Sequence, residues 1–190
     1  MQLTPLTELE AVNLLLASIN ESPINTLEAI QDIDAVNALN TLRMVNRQFQ
    51  SRGWSFNTFE SYVFNPDVYS KKIKWLDTIL HIKSSDGNKY VKRGQYFYNM
   101  TGQSFTFTRP IQAEVILLSD FEDMPEAARN YITAKAAAEF ALKFLGDDSL
   151  VNGLQAREQE AWAYFHEYEM NSNDYNMLEN TYISDLKART

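Results

Sequence analysis

Residues 32–57, DIDAVNALNTLRMVNRQFQSRGWSFN, contain the change of pattern that decides the fold. Along 32–52 six apolar side chains recur at helical spacing and share one arc. They are Ala35, Ala38, Leu39, Leu42, Val45 and Phe49. Gly53 suits the left-handed residue that ends a helix, and from Trp54 onward aromatic residues stand closer to every second position, which favours strands. The sequence therefore predicts a long helix that gives way to β structure at Gly53.

Helical patterns also lie on both sides of this stretch. Thr7 and Glu10 have the spacing of a capping box, which predicts the start of a first helix that Ser22 and Pro23 end. A third helix is predicted between Pro125 and Gly146, and a fourth over about 149–170. Between the second and third helices, 54–118 contains short strand patterns, with tight hairpins predicted at 86–87 and 101–102.

These elements predict an α+β fold that is mainly α. We expect an antiparallel bundle of about four helices, a small antiparallel β-rich insert between the second and third helices, and an extended C-terminal arm. The chain is interpreted as a single domain, 1–190. Residues 1–53 and 119–170 form the bundle, 54–118 form the insert and 171–190 form the arm.

Composition excludes several classes of function. The 190 residues include 17 Lys and Arg, 25 Asp and Glu and no cysteine, so the formal charge is −8. Without cysteine there are no disulfides, iron–sulfur clusters or thiolate nucleophiles. The acidic balance disfavours wrapping of nucleic acid, which requires many phosphate-neutralising cations. No apolar run approaches the roughly 20 residues of a membrane helix, and Glu8 and Glu10 oppose a signal peptide, so neither segment is expected.

The sequence contains no strong catalytic, cofactor or metal signature. Its glycines are scattered and match no phosphate-binding loop, while His81 and His166 lack paired ligand spacing and are expected to be ordinary packing residues. One enzymatic alternative is a pair of carboxylates that hydrolyses a polysaccharide. Its candidates are Glu122 and Asp123, or Glu158, Glu160, Glu167 and Glu169. Because acidic residues are abundant, a structural or solvated role is favoured for all of them.

Two further surface features have open interpretations. Lys92 and Arg93 lie among aromatic residues in 90–98, which suits single-strand nucleic-acid binding, although an aromatic sheet with a basic turn is favoured. In the third helix one arc is expected to face the core, with Phe140 and Phe144 on the opposite side. That arc contains Ala127, Ala128, Tyr131, Ile132, Ala138, Leu142 and Leu145. The two phenylalanines could contact another helix or subunit, or be covered by the C-terminal arm.

Five short stretches carry a resemblance to a known family. They are RQFQSRGWSFN at 47–57, YVKRG at 90–94, DMPE at 123–126, YEM at 168–170 and YNML at 175–178. Along nearly its whole length the chain resembles tail tubular protein A, the adaptor or gatekeeper family of short-tailed bacteriophages of the Autographiviridae type. None of these stretches is a catalytic signature, so the function follows from the kinship alone.

The resemblance implies a non-enzymatic, structural virion protein. Members of this family form a ring of about twelve subunits between the portal and the tail nozzle, tail tubular protein B, with tail-fibre proteins nearby. The protein is expected to be located in the virion tail, to be assembled in the host cytoplasm and to make no contact with a membrane. Genomic DNA would pass through the lumen during ejection without specific binding. Roughly −100 charges on such a ring would repel DNA if part of them lined the bore.

A closed ring needs two unlike contact surfaces on each subunit. Phe140 and Phe144 are predicted to form one of them, and the C-terminal arm, with Tyr175, Met177, Leu178 and Tyr182, the other. Arg43, Arg47 and Arg52 on the second helix are predicted to pair with acidic residues of the fourth helix across the subunit boundary. Such surface pairs contribute little energy and would mainly set register.

Overall fold

The computed structural model describes residues 4–144 and 148–179, and within them it contains four α-helices and five strands. In chain order these are α1 Glu8–Ser18, α2 Ile33–Gln50, β1 Thr58–Phe64, β2 Ile79–Ser84, β3 Tyr90–Arg93, β4 Tyr96–Asn99, β5 Ile111–Leu117, α3 Glu126–Phe144 and α4 Asp148–Glu179. The α+β class is therefore confirmed. None of the helices in these ranges is long and apolar enough to cross a bilayer.

The chain forms two compact units. The helical unit comprises Met1–Phe49 and Asp120–Thr190, and the β unit comprises Gln50–Ser119. The predicted insert, 54–118, falls within the β unit.

Side-chain caps begin the first two helices. The Thr7 hydroxyl accepts a hydrogen bond from the Glu10 N–H, and the Glu10 carboxylate accepts one from the Thr7 N–H, so the predicted capping box is confirmed. For α2, the Asp32 carboxylate accepts hydrogen bonds from the backbone N–H groups of Asp34 and Ala35. All six apolar residues predicted on the inner face of α2 are buried.

The core of the helical unit is aromatic. Helix α3 packs along α4 and against α1. The ring of Phe49, at the end of α2, lies 5.2 Å from the ring of Tyr131 and 4.9 Å from that of Phe165, measured between centroids. Tyr131 also contacts Trp162 at 4.8 Å. These contacts join α2, α3 and α4 around one set of rings.

Helix α3 departs from its predicted orientation near its C-terminal end. Leu142, predicted to face the core, is 63% exposed, whereas Phe140, predicted on the opposite side, is fully buried. The other arc residues, 127, 128, 131, 132 and 138, are buried as predicted, and Leu145 lies outside the described residues. The single-face assumption fails because α3 is also buried at Ala136, Ala137 and Ala141, so most of its circumference is covered.

The predicted C-terminal arm is wrong for its first nine residues, because α4 continues to Glu179. No glycine or proline stands between Met170 and Glu179 to end the helix, and polar side chains alone do not terminate one. Residues 180–190 lie outside the described part of the chain.

The β unit contains two antiparallel sheets. The larger has the strand order β1-β5-β2, so β5 is central, and each of its ladders has one irregularity, at Phe59/Tyr62 and at Ile79/His81. The smaller is the β3-β4 hairpin. The fully buried ring of Phe97 contacts Phe64 at 4.8 Å and Trp75 at 4.6 Å between centroids, which places it in the core of this unit.

The strands on either side of the two predicted hairpin turns do not pair as predicted. β2 pairs with β5, and β3 pairs with β4 across Gly94, whose φ is +62°, so the hairpin predicted at 86–87 is wrong. A turn does form there, since the Asp86 carboxylate accepts from the Asn88 N–H, but it joins strands of two different sheets. At 101–102 the pairing is reduced to a bridge between Asn99 and Ser104. Local turn chemistry identifies a turn but not which strands it brings into register.

Candidate interaction surfaces

Charge is distributed very unequally between the two units. The β unit contains nine Lys and Arg against five Asp and Glu, a net charge of +4. The helical unit contains eight against twenty, a net charge of −12. The overall charge of −8 is therefore the sum of a positively charged β unit and a negatively charged helical unit.

Arg43 has a partner within its own chain. Its guanidinium donates two hydrogen bonds to the Glu8 carboxylate of α1, from Nε at 2.8 Å and from Nη2 at 3.0 Å. The hydrogen bond to Glu8 raises the pKa of Arg43. The predicted pairing of Arg43 with the fourth helix is thus replaced by a bidentate pair between α1 and α2. Arg47 and Arg52 are exposed, and their contact with another subunit stays a prediction.

Only one of the two phenylalanines predicted to form a contact surface is exposed. Phe140 is fully buried, so its assignment to a subunit contact is wrong, whereas Phe144 is 44% exposed. Their ring centroids are 4.6 Å apart. Tyr175, Met177 and Leu178 fall on α4, where their side chains lie outside the described residues, as does all of Tyr182. Their role in contacts stays a prediction.

Two carboxylates at or just before the start of α3 hold the N-terminal segment in place. Glu122 accepts a hydrogen bond from the Glu8 N–H at 3.0 Å, and Glu126 accepts one from the Leu6 N–H at 3.0 Å. Arg129 donates from Nη1 to the Leu6 carbonyl at 2.8 Å. Glu122 thereby satisfies an open N–H at the start of α1, which is a structural role. Among the described residues, no group of three or more His, Asp or Glu could hold a metal ion.

The basic-aromatic stretch at 90–98 is occupied by local contacts. Lys92 donates to the Asp77 carboxylate at 2.5 Å, and the Arg93 guanidinium lies 3.7 Å from the centroid of the Tyr98 ring. Phe97 is fully buried and Tyr90 nearly so. Few open ring faces are therefore left for stacked bases, in keeping with the favoured structural interpretation.

An apolar groove lies on the helical unit between α1, α3 and α4. It has a volume of about 300 Å³ and is lined by Leu14, Ala17, Ser18, Asn130, Thr133, Ala134, Ala137, Leu154 and Arg157. A second depression of about 290 Å³ shares several of these residues and extends the groove toward Asn20, Leu150 and Gly153. Small alanines form much of the wall, so the helices leave a slot wide enough to admit a side chain from outside.

A loop on the β unit presents two apolar side chains to solvent. In the 67–72 loop, Val68 is 73% exposed and Tyr69 is 93% exposed. Asp67 organises the loop, because its carboxylate accepts hydrogen bonds from the Ser70 N–H and hydroxyl, both at 2.8 Å, and from the Tyr69 N–H at 3.2 Å. These hydrogen bonds lower the pKa of the Asp67 carboxyl, and the two from Ser70 have a larger effect than the one from Tyr69.

Backbone hydrogen bonds close the same loop. The Lys71 N–H donates to the Asp67 carbonyl, and the Asp67 N–H donates to the Lys72 carbonyl, at 3.0 and 2.9 Å. Asn65, Pro66 and Asp67 are typical turn residues, but the sequence analysis did not identify the loop or the groove as surfaces. The available signal was a valine and a tyrosine placed directly after turn residues, where apolar side chains are unusual.

Comparison with known proteins agrees with the resemblance found in the sequence. A profile of the family described as tail tubular protein matches residues 9–175, which include parts of both units. The chain is also similar to the tail tubular protein A of Klebsiella phage KP34, with 31% identity over 147 residues that cover 75% of each protein. The chain therefore belongs to the tail tubular protein family and is a structural protein of a bacteriophage tail.

Proposed function

We propose that the chain is the subunit of a head-to-tail adaptor. About twelve copies form a ring that joins the portal to the tail nozzle, anchors tail fibres nearby and encloses part of the channel for DNA ejection. Assembly takes place in the host cytoplasm. The observation that carries this proposal is the family match over residues 9–175, since a function shared by the family then applies to nearly all of the chain.

In this role the protein acts by shape and charge, with no covalent chemistry. The helices of each copy form the bundle that makes up one wedge of the ring. Glu122, one candidate for the polysaccharide hydrolase, is committed to the N-terminus of α1.

Charge supports a low-friction channel. The helical unit carries −12 per copy, so a ring of about twelve would concentrate well over 100 negative charges in its helical units. These units supply the acidic lining of the bore, because like charge keeps the phosphate backbone from adhering during passage. DNA passes without specific binding.

The experiment that tests the proposal is reconstitution with the cognate portal. The purified chain is mixed with the portal protein, and the product is imaged by single-particle electron microscopy, with portal alone as the control. We expect an additional ring of about twelve subunits stacked coaxially on the portal. Failure of the chain to add a ring contradicts the proposed function, whereas a ring whose bore is lined by Lys and Arg contradicts only the charge argument.

A further inference from the structure

The 67–72 loop has the form of a rigid apolar knob. Six residues are tied by the hydrogen bonds of Asp67, and the two that project, Val68 and Tyr69, make the loop tip largely apolar. A loop that needed only to connect two segments would present polar residues to water. Because the turn is formed by Asp67 and the backbone, the two apolar side chains are presented in a fixed geometry at little entropic cost on binding.

The groove between α1, α3 and α4 has the complementary form. Its walls are Leu14, Ala17 and the alanines of α3, and its volume of about 300 Å³ suits a tyrosine ring with a neighbouring aliphatic group. The Arg157 side chain at its edge can lie over such a ring, since arginine stacks on aromatic faces. The surface is apolar within and polar at its rim, as in the centre of a protein interface.

Charge identifies what the knob meets. Lys71 within the loop and Lys74 just after it are exposed, on a unit of net charge +4. The groove belongs to the unit of net charge −12, and its end at Ser18 is the C-terminus of α1, where the last turn contains no basic residue. Cations are favoured at such a terminus, and exposed Glu21 follows it. Arg157 is the charged side chain in the lining of the groove and is assigned to the tyrosine ring, while the acidic end at Ser18 and Glu21 suits the lysines. A second copy of this chain therefore offers a groove that matches the knob in shape and an adjacent end that matches it in charge.

Resting on the ring of the proposed function, we propose that the 67–72 loop of each copy inserts Val68 and Tyr69 into the α1/α3/α4 groove of the next copy. The contact joins two unlike surfaces, which is what a cyclic ring requires. Knob and groove lie on different units of the chain, so every copy carries both a donor and an acceptor side.

The absence of cysteine from the natural chain allows a direct test. Ala17→Cys and Tyr69→Cys are introduced together, the ring is assembled on the portal and oxidised, and the products are separated by denaturing electrophoresis without reductant. We expect a ladder of covalent multimers that rises beyond the dimer toward the full ring. Each single-cysteine variant is the control and yields dimers at most, because it has only one reactive side.

A second measurement examines the knob itself. In Val68→Ser/Tyr69→Ser we expect the concentration needed for half-maximal ring formation to rise by at least about tenfold. The matched control is Val63→Ser, an exposed valine of the same unit, which leaves that concentration unchanged. Ala17→Phe, which fills the groove from an exposed helix position, reproduces the loss. Far-UV circular dichroism establishes that all variants keep the wild-type fold.

The outcomes separate this inference from the function on which it rests. A wild-type chain that forms no ring on the portal overturns the proposed function and the inference together. A wild-type ring whose double-cysteine version gives no ladder beyond the dimer, or one whose assembly is unchanged by the serine substitutions, overturns the inference alone.

Discussion

Gln50 and Ser119, the first and last residues of the β unit, are joined by two hydrogen bonds. The Gln50 side chain donates to the Ser119 carbonyl at 2.9 Å and accepts from the Ser119 N–H at 2.8 Å. Asn57, fully buried, donates to the carbonyls of Gln50 and Leu117, each at 3.0 Å. The point where the chain enters and leaves this unit is thus held by buried amide side chains.

Gln50→Leu is expected to destabilise the β unit by about 2–4 kcal/mol, because it removes two hydrogen bonds and leaves the backbone groups of Ser119 without partners. Urea unfolding is followed by tryptophan fluorescence in a Trp162→Phe background, where Trp54 and Trp75 of the β unit give the whole signal. The control is Gln155→Leu, the same change at an exposed position of α4, with an expected effect below about 0.5 kcal/mol. Equal midpoints for the two variants would contradict the role of Gln50.

Gly53→Ala is expected to cost more stability than Gly87→Ala. Both glycines have a left-handed backbone, with φ of +78° and +76°, so each substitution pays about 1 kcal/mol of strain. A Cβ at residue 53 would also lie 2.7 Å from Ile116 Cδ1, whereas residue 87 has no neighbour within 4 Å. Thermal unfolding should show about 1–3 kcal/mol of additional loss for Gly53→Ala.

The double variant Gly53→Ala/Ile116→Val provides the control for this comparison, since valine lacks the clashing Cδ1 atom. We expect it to recover part of the steric loss but none of the backbone strain. If Gly53→Ala is no worse than Gly87→Ala, the close approach to Ile116 has no energetic role.

The β unit should lose stability in acid through Asp86. Partial burial acts to raise the pKa of this carboxyl, but hydrogen bonds from Tyr90, Asn88 and Ser84 outweigh it and lower the pKa to about 2. The Tyr90 hydroxyl donates at 2.6 Å. Since the folded pKa lies below the unfolded value of about 3.9, the contribution is present above about pH 4 and is lost as the pH falls to about 2.

The measurement is the free energy of unfolding of the wild type and of Asp86→Asn from pH 2 to 6. The wild type should exceed the variant by about 1 kcal/mol near pH 6, a value reduced because the carboxyl is solvent-exposed, and the two should converge near pH 2. Glu60→Gln, an exposed acid of the same unit, controls for loss of one negative charge. A difference that does not vary with pH would rule out the titration of Asp86 as its cause.

Alanine substitutions at Phe140 and Phe144 should distinguish an effect on folding from an effect on ring assembly. Phe140→Ala creates a cavity in the helical core and is expected to cost about 3–4 kcal/mol. Phe144→Ala, at a partly exposed ring, should cost less than about 1 kcal/mol, and it tests whether this ring contacts another subunit. Circular dichroism melting curves give the first quantity, and ring formation on the portal gives the second. Comparable melting temperatures for the two variants would contradict the burial of Phe140.

Arg43 and Glu8 should be coupled within one chain. A double-mutant cycle with Arg43→Gln and Glu8→Gln is expected to give a coupling energy of about 0.5–1 kcal/mol, a small value because the arginine side chain is half exposed. The coupling should decrease in 1 M salt. No coupling in the isolated chain, together with loss of ring formation in Arg43→Gln, would restore the predicted contact between subunits.

The accuracy of sequence reasoning depended on how many sides of an element are buried. Helix α2 has one buried face, so the six apolar residues that its periodicity predicted to be inside are all buried. Helix α3 is alanine-rich and covered on most sides, so a single arc placed Phe140 and Leu142 on the wrong surfaces. The long-range pairing of β2 with β5 could not be inferred from the turn at 86–87, because register is set by tertiary packing.

The candidate site was less predictable than the fold. The arginines were predicted as contact residues because of their charge, but a sequence does not show which acidic residue an arginine will pair with. Arg43 pairs with Glu8 on α1, 35 residues away in the chain. The groove is assembled from three helices that are distant in the chain, so no local pattern indicates it. The sequence does contain a local indication of the knob, since Val68 and Tyr69 directly follow turn residues. The exposed fractions of these two side chains in the structure are needed to show that they project into solvent.

The outer strands of the larger sheet affect how the protein behaves before assembly. Strands β1 and β2 each have one side without a neighbouring strand in that sheet, and such edges invite aggregation by intermolecular strand addition. The irregularity in each ladder bends these edges, and the charged side chains of Glu60 and Lys83 are exposed along them. Both features oppose strand pairing between copies and so lower the tendency of the unassembled protein to form fibres.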